Sequence, residues 1–122
     1  MEEERGVILV AEDNESNFDL LNVVLRKDYR LIRAVNGEEA VQLYRSCKPD
    51  LILMDIKMPV MDGWEAVRMI REISADIPIF AVSAYSYQSD RVKALQLGCN
   101  EFITKPIDLH LLKTLIKKYV FE

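Results

Sequence analysis

Cysteine is scarce. Cys47 and Cys99 are the two in 122 residues, and their separation matches no metal-ligand spacing. Both thiols therefore read as reduced, partly buried packing residues rather than as a disulfide or a zinc site. Histidine is scarcer still, with His110 alone; near the start of the last expected helix it reads as a surface group rather than a phosphohistidine. Glycine and proline number four each, which leaves no low-complexity linker, and no internal repeat is visible. Basic residues do not exceed acidic ones: 16 Lys plus Arg against 20 Asp plus Glu give a net charge of −4. A nucleic-acid surface would need a basic stripe, so nucleic acid is not an expected partner. No apolar run approaches the ~20 residues of a membrane helix. The opening Met1-Glu2-Glu3-Glu4-Arg5 lacks the positive start and apolar stretch of a signal peptide. The expectation is a soluble, cytoplasmic chain without membrane contact.

What is present is an alternation. Length alone suggests one domain over residues 1–122, large enough to bury a core without a structural metal. Short apolar runs at Val7–Ala11, Leu51–Met54 and Ile77–Val82 suit strands buried on both faces of a parallel sheet. Tyr29–Ala34 and Asn100–Ile103 are weaker candidates. Between them lie segments with helical spacing: Ala40, Leu43, Tyr44 and Cys47; Ala66, Met69, Ile70 and Ile73; Leu112, Leu115, Ile116, Tyr119 and Val120. Asn14 to Lys27 supplies a first helix and Ser86 to Leu97 a fourth, with Gly98 as its stop. Asn36 with Glu39, and Asp62 with Glu65, look like capping boxes. Five strands alternating with five helices predict an α/β fold with right-handed crossovers. The strand order does not follow from periodicity.

Polar residues fall at telling places. Glu12 and Asp13 directly follow the first apolar run, Asp55 the third strand, Ser83 the fourth, and Lys105 the fifth. Open α/β sheets bind ligands outside the carboxyl ends of their strands, so the fold would carry these residues to one rim. Three carboxylates in proximity should not all ionise without a cation. An oxygen-only site with room for water suits Mg²⁺. With an ammonium and a hydroxyl added, the set is suited to phosphoryl transfer, and Asp55 is the best nucleophile in it. Taken singly, Glu12, Asp13 and Asn14 read as a turn and helix cap, Lys105 as a solvated charge, and Phe102 as plain core. Their convergence outweighs those readings. Trp64 and the methionines read as residues that pack or sit beside the active loop rather than as binders of a cofactor.

The set Glu12-Asp13, Asp55, Ser83 and Lys105-Pro106, with Met58-Pro59 and Asp62-Gly63 between, resembles the receiver domain of two-component response regulators. The resemblance runs from Val7 to about Tyr119. It implies a flavodoxin-like, doubly wound five-stranded sheet of order 2-1-3-4-5 with five helices. It implies that Asp55 accepts a phosphoryl group from a phosphohistidine on a sensor histidine kinase or histidine phosphotransfer domain. Mg²⁺ would be held by Asp13, Asp55 and the backbone carbonyl of Lys57, with Glu12 acting through water. Lys105 would pair with phosphoryl oxygens, and Ser83 would turn inward to bond one of them. Phe102 matches the aromatic switch residue, rotating from exposed to buried as Ser83 moves. The Lys105–Pro106 bond would be cis. The face around Ser86–Leu97 and Phe102 would meet partners, with room for a homodimer. Such a domain is not an enzyme in its own right, because it modifies only itself.

Other functions fit less well. A flavin or nucleotide module needs a phosphate loop after the first strand, where Glu12 and Asp13 would repel phosphate. A hydrolytic phosphatase of the Asp-x-Asp type lacks its second Asp at Lys57. A partner-binding pseudo-receiver is disfavoured because no active-site position is missing. The run Glu12-Asp13-Asn14 with Asn17 resembles receivers fused to hybrid sensor kinases, so a hybrid-kinase fragment is the expected parentage. A free-standing receiver is the alternative.

Overall fold

A computed structural model of the chain describes residues 5–120. The opening acidic residues 1–4, which bear on the signal-peptide reading, lie outside the described residues. Ten elements alternate: β1 (Gly6–Ala11), α1 (Glu15–Leu25), β2 (Tyr29–Ala34), α2 (Gly37–Cys47), β3 (Leu51–Asp55), α3 (Gly63–Ile73), β4 (Ile79–Ser83), α4 (Gln88–Leu97), β5 (Glu101–Thr104) and α5 (Leu109–Val120). The strands form one parallel sheet of order β2-β1-β3-β4-β5. This is the expected architecture.

The pleat explains why unbroken apolar runs work as strands. Successive side chains point to opposite faces, so a strand buried on both sides must be apolar at every position. Ile8, Val10, Leu51, Leu53, Phe80 and Val82 enter one core with Leu21 and Leu25 of α1 and Leu112 and Ile116 of α5. Leu9, Ala11, Ile52, Met54, Ile79 and Ala81 enter the other, against Ala40, Ala66, Ile70 and Ala94 of α2, α3 and α4. The sheet is thereby covered on both faces.

Several boundaries differ from the sequence expectation. β4 starts at Ile79, not Ile77, because Pro78 has no N–H to place in a ladder. β3 and β4 extend one residue further, so Asp55 and Ser83 are the last strand residues rather than the first loop residues. α4 starts at Gln88, and its N-cap Tyr87 makes no side-chain capping bond. The capping boxes are half-formed. Asn36 and Asp62 accept from the amides of Glu39 and Glu65. Glu39, however, reaches back to the Val35 amide at 2.8 Å, and Glu65 pairs with Arg68. Ile73, placed on the apolar stripe of α3, is exposed. Gly98 ends α4 at φ 98°, as a stop residue should.

Both cysteines are free. Cys99 is buried, and burial pushes its thiol up to about 11. Since the thiolate is the reactive form, alkylation of Cys99 at pH 8 should run about 100-fold slower in native protein than in urea. Comparable rates in the two states, read by mass spectrometry, would contradict its burial.

Candidate functional site

The parallel register brings the carboxyl ends of β1, β3 and β4 level: Ala11 pairs with Met54, and Asp55 with Val82. The strand-end residues and the loops leaving them therefore meet at one rim. Glu12 leaves β1 with its amide bonded to the Ala34 carbonyl at 2.9 Å. Asn14 caps α1 by accepting from the Asn17 amide at 2.9 Å. The turn between them is too short to wander.

The carboxylates of Glu12, Asp13 and Asp55 present oxygens that all lie within 4.8 Å of one another. Glu12 and Asp55 are buried, at 4% and 6% exposure, while Asp13 is exposed. Lys105 spans the two buried acids, its Nζ 3.0 Å from Asp55 Oδ2 and 3.2 Å from Glu12 Oε1. The other Asp55 oxygen accepts from the Lys57 amide at 3.1 Å. Glu12 Oε2 accepts from the Asn14 amide at 3.2 Å and from Asn17 Nδ2 at 3.5 Å. Ser83 Oγ accepts from the Tyr85 amide at 3.1 Å. The Lys105–Pro106 bond is cis, as the resemblance implies.

Three acids against one ammonium leave the cluster short of positive charge. Burial holds the Asp55 carboxyl above its ordinary range, and the Glu12 charge pushes the same way. The bonds from Lys105 and Lys57 only partly offset them. Burial alone would lower the Lys105 ammonium, but its bonds to Asp55 and Glu12 hold it above the ordinary value. Hard oxygen donors, a shortage of cation and an open cleft fit a small divalent ion that keeps some of its water.

The cleft has a volume of about 730 Å³. Glu12, Asp13, Asp55, Lys57, Ser83 and Lys105 all line it, together with Trp64, Tyr85 and Tyr87. Phe102 does not. It lies half-buried on β5 under the Arg91 guanidinium, 4.9 Å from the ring centre. His110 is exposed on α5, in a separate hollow with Lys113 and Lys117. Two features are not expected from the sequence: the stacking of Tyr85, two positions past Ser83, on Tyr87 at 5.4 Å along one wall, and the bonds from Arg33 to the backbone of the acidic turn.

Residues 8–117 match the response regulator receiver domain. The chain belongs to that family. Among receiver relatives, hybrid signal transduction histidine kinase I of Dictyostelium discoideum is 40% identical over 94% of this chain, which spans 7% of that protein's length. Polar-differentiation response regulator DivK of Brucella anthropi is 36% identical over 93% of this chain and 94% of DivK. Among solved receivers, one is the receiver domain of a Pseudomonas aeruginosa sensor histidine kinase with a magnesium ion coordinated in its active-site cleft. It has 33% identity, 98% and 100% coverage of the two chains and a TM-score of 0.88. Another is a co-crystal from Saccharomyces cerevisiae of a histidine phosphotransfer protein and the receiver domain of its downstream response regulator, at 34% identity, 96% and 90% coverage and a TM-score of 0.90. The chain is thus a receiver of two-component signalling. Among the described residues no helix is long and apolar enough to cross a membrane.

Proposed function

We propose that the chain is the phosphoacceptor of a His-Asp phosphorelay, with Asp55 as the residue modified and the whole of residues 1–122 working as one cytoplasmic receiver unit. The observation that carries this reading is the meeting of three carboxylates within 4.8 Å, two of them bridged by Lys105. An Asp55 oxygen attacks the phosphorus of a phosphohistidine, the N–P bond breaks, and the imidazole of the donor leaves with its electron pair. The donor is a sensor histidine kinase or a histidine phosphotransfer protein, the partner type seen with the yeast relative. Such a chain acts on its own carboxylate and turns over no separate substrate.

Asp13, Asp55 and the Lys57 carbonyl would hold Mg²⁺, with Glu12 acting through water; the ion would supply charge neutralisation for the phosphoryl oxygens when bound. Lys105 shifts from the acids to those oxygens. Ser83 exchanges its bond to the Tyr85 amide for one to the phosphoryl group, and Phe102 rotates inward behind it. The test is incubation with acetyl phosphate or a phosphorylated phosphotransfer protein, with and without Mg²⁺. One phosphoryl group per chain, mapped to Asp55 and dependent on Mg²⁺, is expected. A label on His110, or one indifferent to the metal, overturns the assignment.

Lys105 competes with a cation for the same oxygens. In a cleft open to solvent, at an effective dielectric constant near that of water (about 80), its charge opposes a divalent ion about 5 Å away by about 1–2 kcal/mol. Lys105→Ala should therefore bind Mg²⁺ roughly tenfold tighter while phosphorylating more slowly. The single tryptophan, Trp64, lines the cleft and reports the titration by its fluorescence. Weaker binding would mean that Lys105 organises the acids rather than competing for them.

A further inference from the structure

Arg33 sits in β2 opposite Val10 of β1, one residue before the strand ends at Ala34. The β1–α1 turn runs on past that end, yet its carbonyls are held. Arg33 Nε donates to the Glu12 carbonyl at 3.0 Å, and Nη2 donates to the Asp13 carbonyl at 3.0 Å. The Glu12 amide donates in turn to the Ala34 carbonyl, so β2 holds the Glu12 backbone at both its amide and its carbonyl. The guanidinium carbon lies 5.9 Å from the Phe18 ring centre, against α1. A rigid planar fork suits two successive carbonyls, and a lysine ammonium cannot reproduce that geometry.

The two acids differ in what else restrains them. The Glu12 carboxylate is tied by Asn14, Asn17 and Lys105. Among the described residues nothing donates a hydrogen bond to the Asp13 carboxylate. Its place within 4.8 Å of the others comes from its backbone alone.

We infer that Arg33 is a positioning residue for the divalent ion: it clamps the β1–α1 turn so that Asp13 stays at the cation site. This rests on the proposed metal site. Charge and geometry predict opposite signs here. A nearby positive charge by itself repels a cation, so removing it would tighten binding; removing a clamp loosens it.

The full chain is titrated with MgCl₂, following Trp64 fluorescence and heat, as wild type, Arg33→Lys and Arg33→Gln. Thermal midpoints in EDTA are taken alongside. Arg33→Lys keeps the charge and loses the fork, and Arg33→Gln loses both. The Kd for Mg²⁺ should rise about tenfold in each, the scale of a lost outer-shell contact. The EDTA midpoints should change by a few degrees at most, and the rate of phosphorylation should recover at saturating Mg²⁺. Tighter binding in Arg33→Gln, or an unchanged Kd in Arg33→Lys, overturns the inference. So does a large fall in midpoint with Kd unchanged, which would make Arg33 a stability residue. A wild type that takes up no Mg²⁺ overturns the metal site itself.

Discussion

Asp55→Asn should abolish phosphorylation and, in the same protein without metal, raise stability. The first effect removes the nucleophile, because an amide cannot form the acyl phosphate. The second comes from the pKa. Asp55 is held above its ordinary value, chiefly by burial, so folding disfavours its charged form. Such a group contributes stability at pH below its unfolded value, and that contribution is lost as pH rises through the folded one. At neutral pH the carboxylate is therefore a burden on the fold. Asn keeps the shape and needs no counter-charge, and Lys105 retains Glu12 as a partner at 3.2 Å. A gain of about 1–3 kcal/mol is the scale for relieving a poorly compensated buried group. It should appear as a rise of several degrees in midpoint. The gain should widen as pH rises from about 4 through the raised folded value, and shrink when Mg²⁺ stabilises the wild type. A variant that melts lower than wild type in EDTA at pH 7 would show that the Lys105–Asp55 pair stabilises the fold outright.

That conflict explains why the site is legible in the sequence ahead of the fold. A carboxylate directly after Leu51-Ile52-Leu53-Met54 is out of place on physical grounds, as is an acidic pair after Val7–Ala11, and out-of-place residues carry information. The apolar runs are legible for a different reason: two-sided burial leaves no room for polar alternation. α4 is the hardest helix. It buries Ala94 alone among its described side chains, so it has no apolar stripe, and Gly98 marks its end better than any pattern marks its start. The strand order comes from family resemblance, since apolar runs do not say which neighbours which. Arg33 is hidden on the same account. An arginine in an edge strand looks like a solvent-facing charge until β2 is known to lie beside β1, which puts its guanidinium against the acidic turn.

Gly63→Ala should be, with Gly37→Ala, among the most damaging single-methyl changes at the described glycines. The loop after β3 returns so closely that the Gly63 amide donates to the Ile56 carbonyl at 2.7 Å. A Cβ at Gly63 would press on the Asp55 carbonyl oxygen and lie 2.6 Å from the Ile56 Cα. Both neighbours are backbone, so no rotamer change relieves the contact, and α3 must move off β3. Overpacking of this kind costs about 1–3 kcal/mol, more where nothing can give. The displaced backbone carries Asp55 and Lys57. Since a shift of about 1 Å at reacting groups can cost a hundredfold in rate, phosphorylation should fall at least tenfold even at temperatures where the variant stays folded. Gly6→Ala is the control. Its Cβ would meet the Val120 and Tyr29 side chains at 3.0 and 3.4 Å, and those can move a few tenths of an ångström. Midpoints and phosphorylation rates measured for both variants should separate widely. Near-equal behaviour would mean that the loop after β3 has slack enough to absorb a methyl group, and that the glycine is not what draws the Asp55 end of β3 and α3 together.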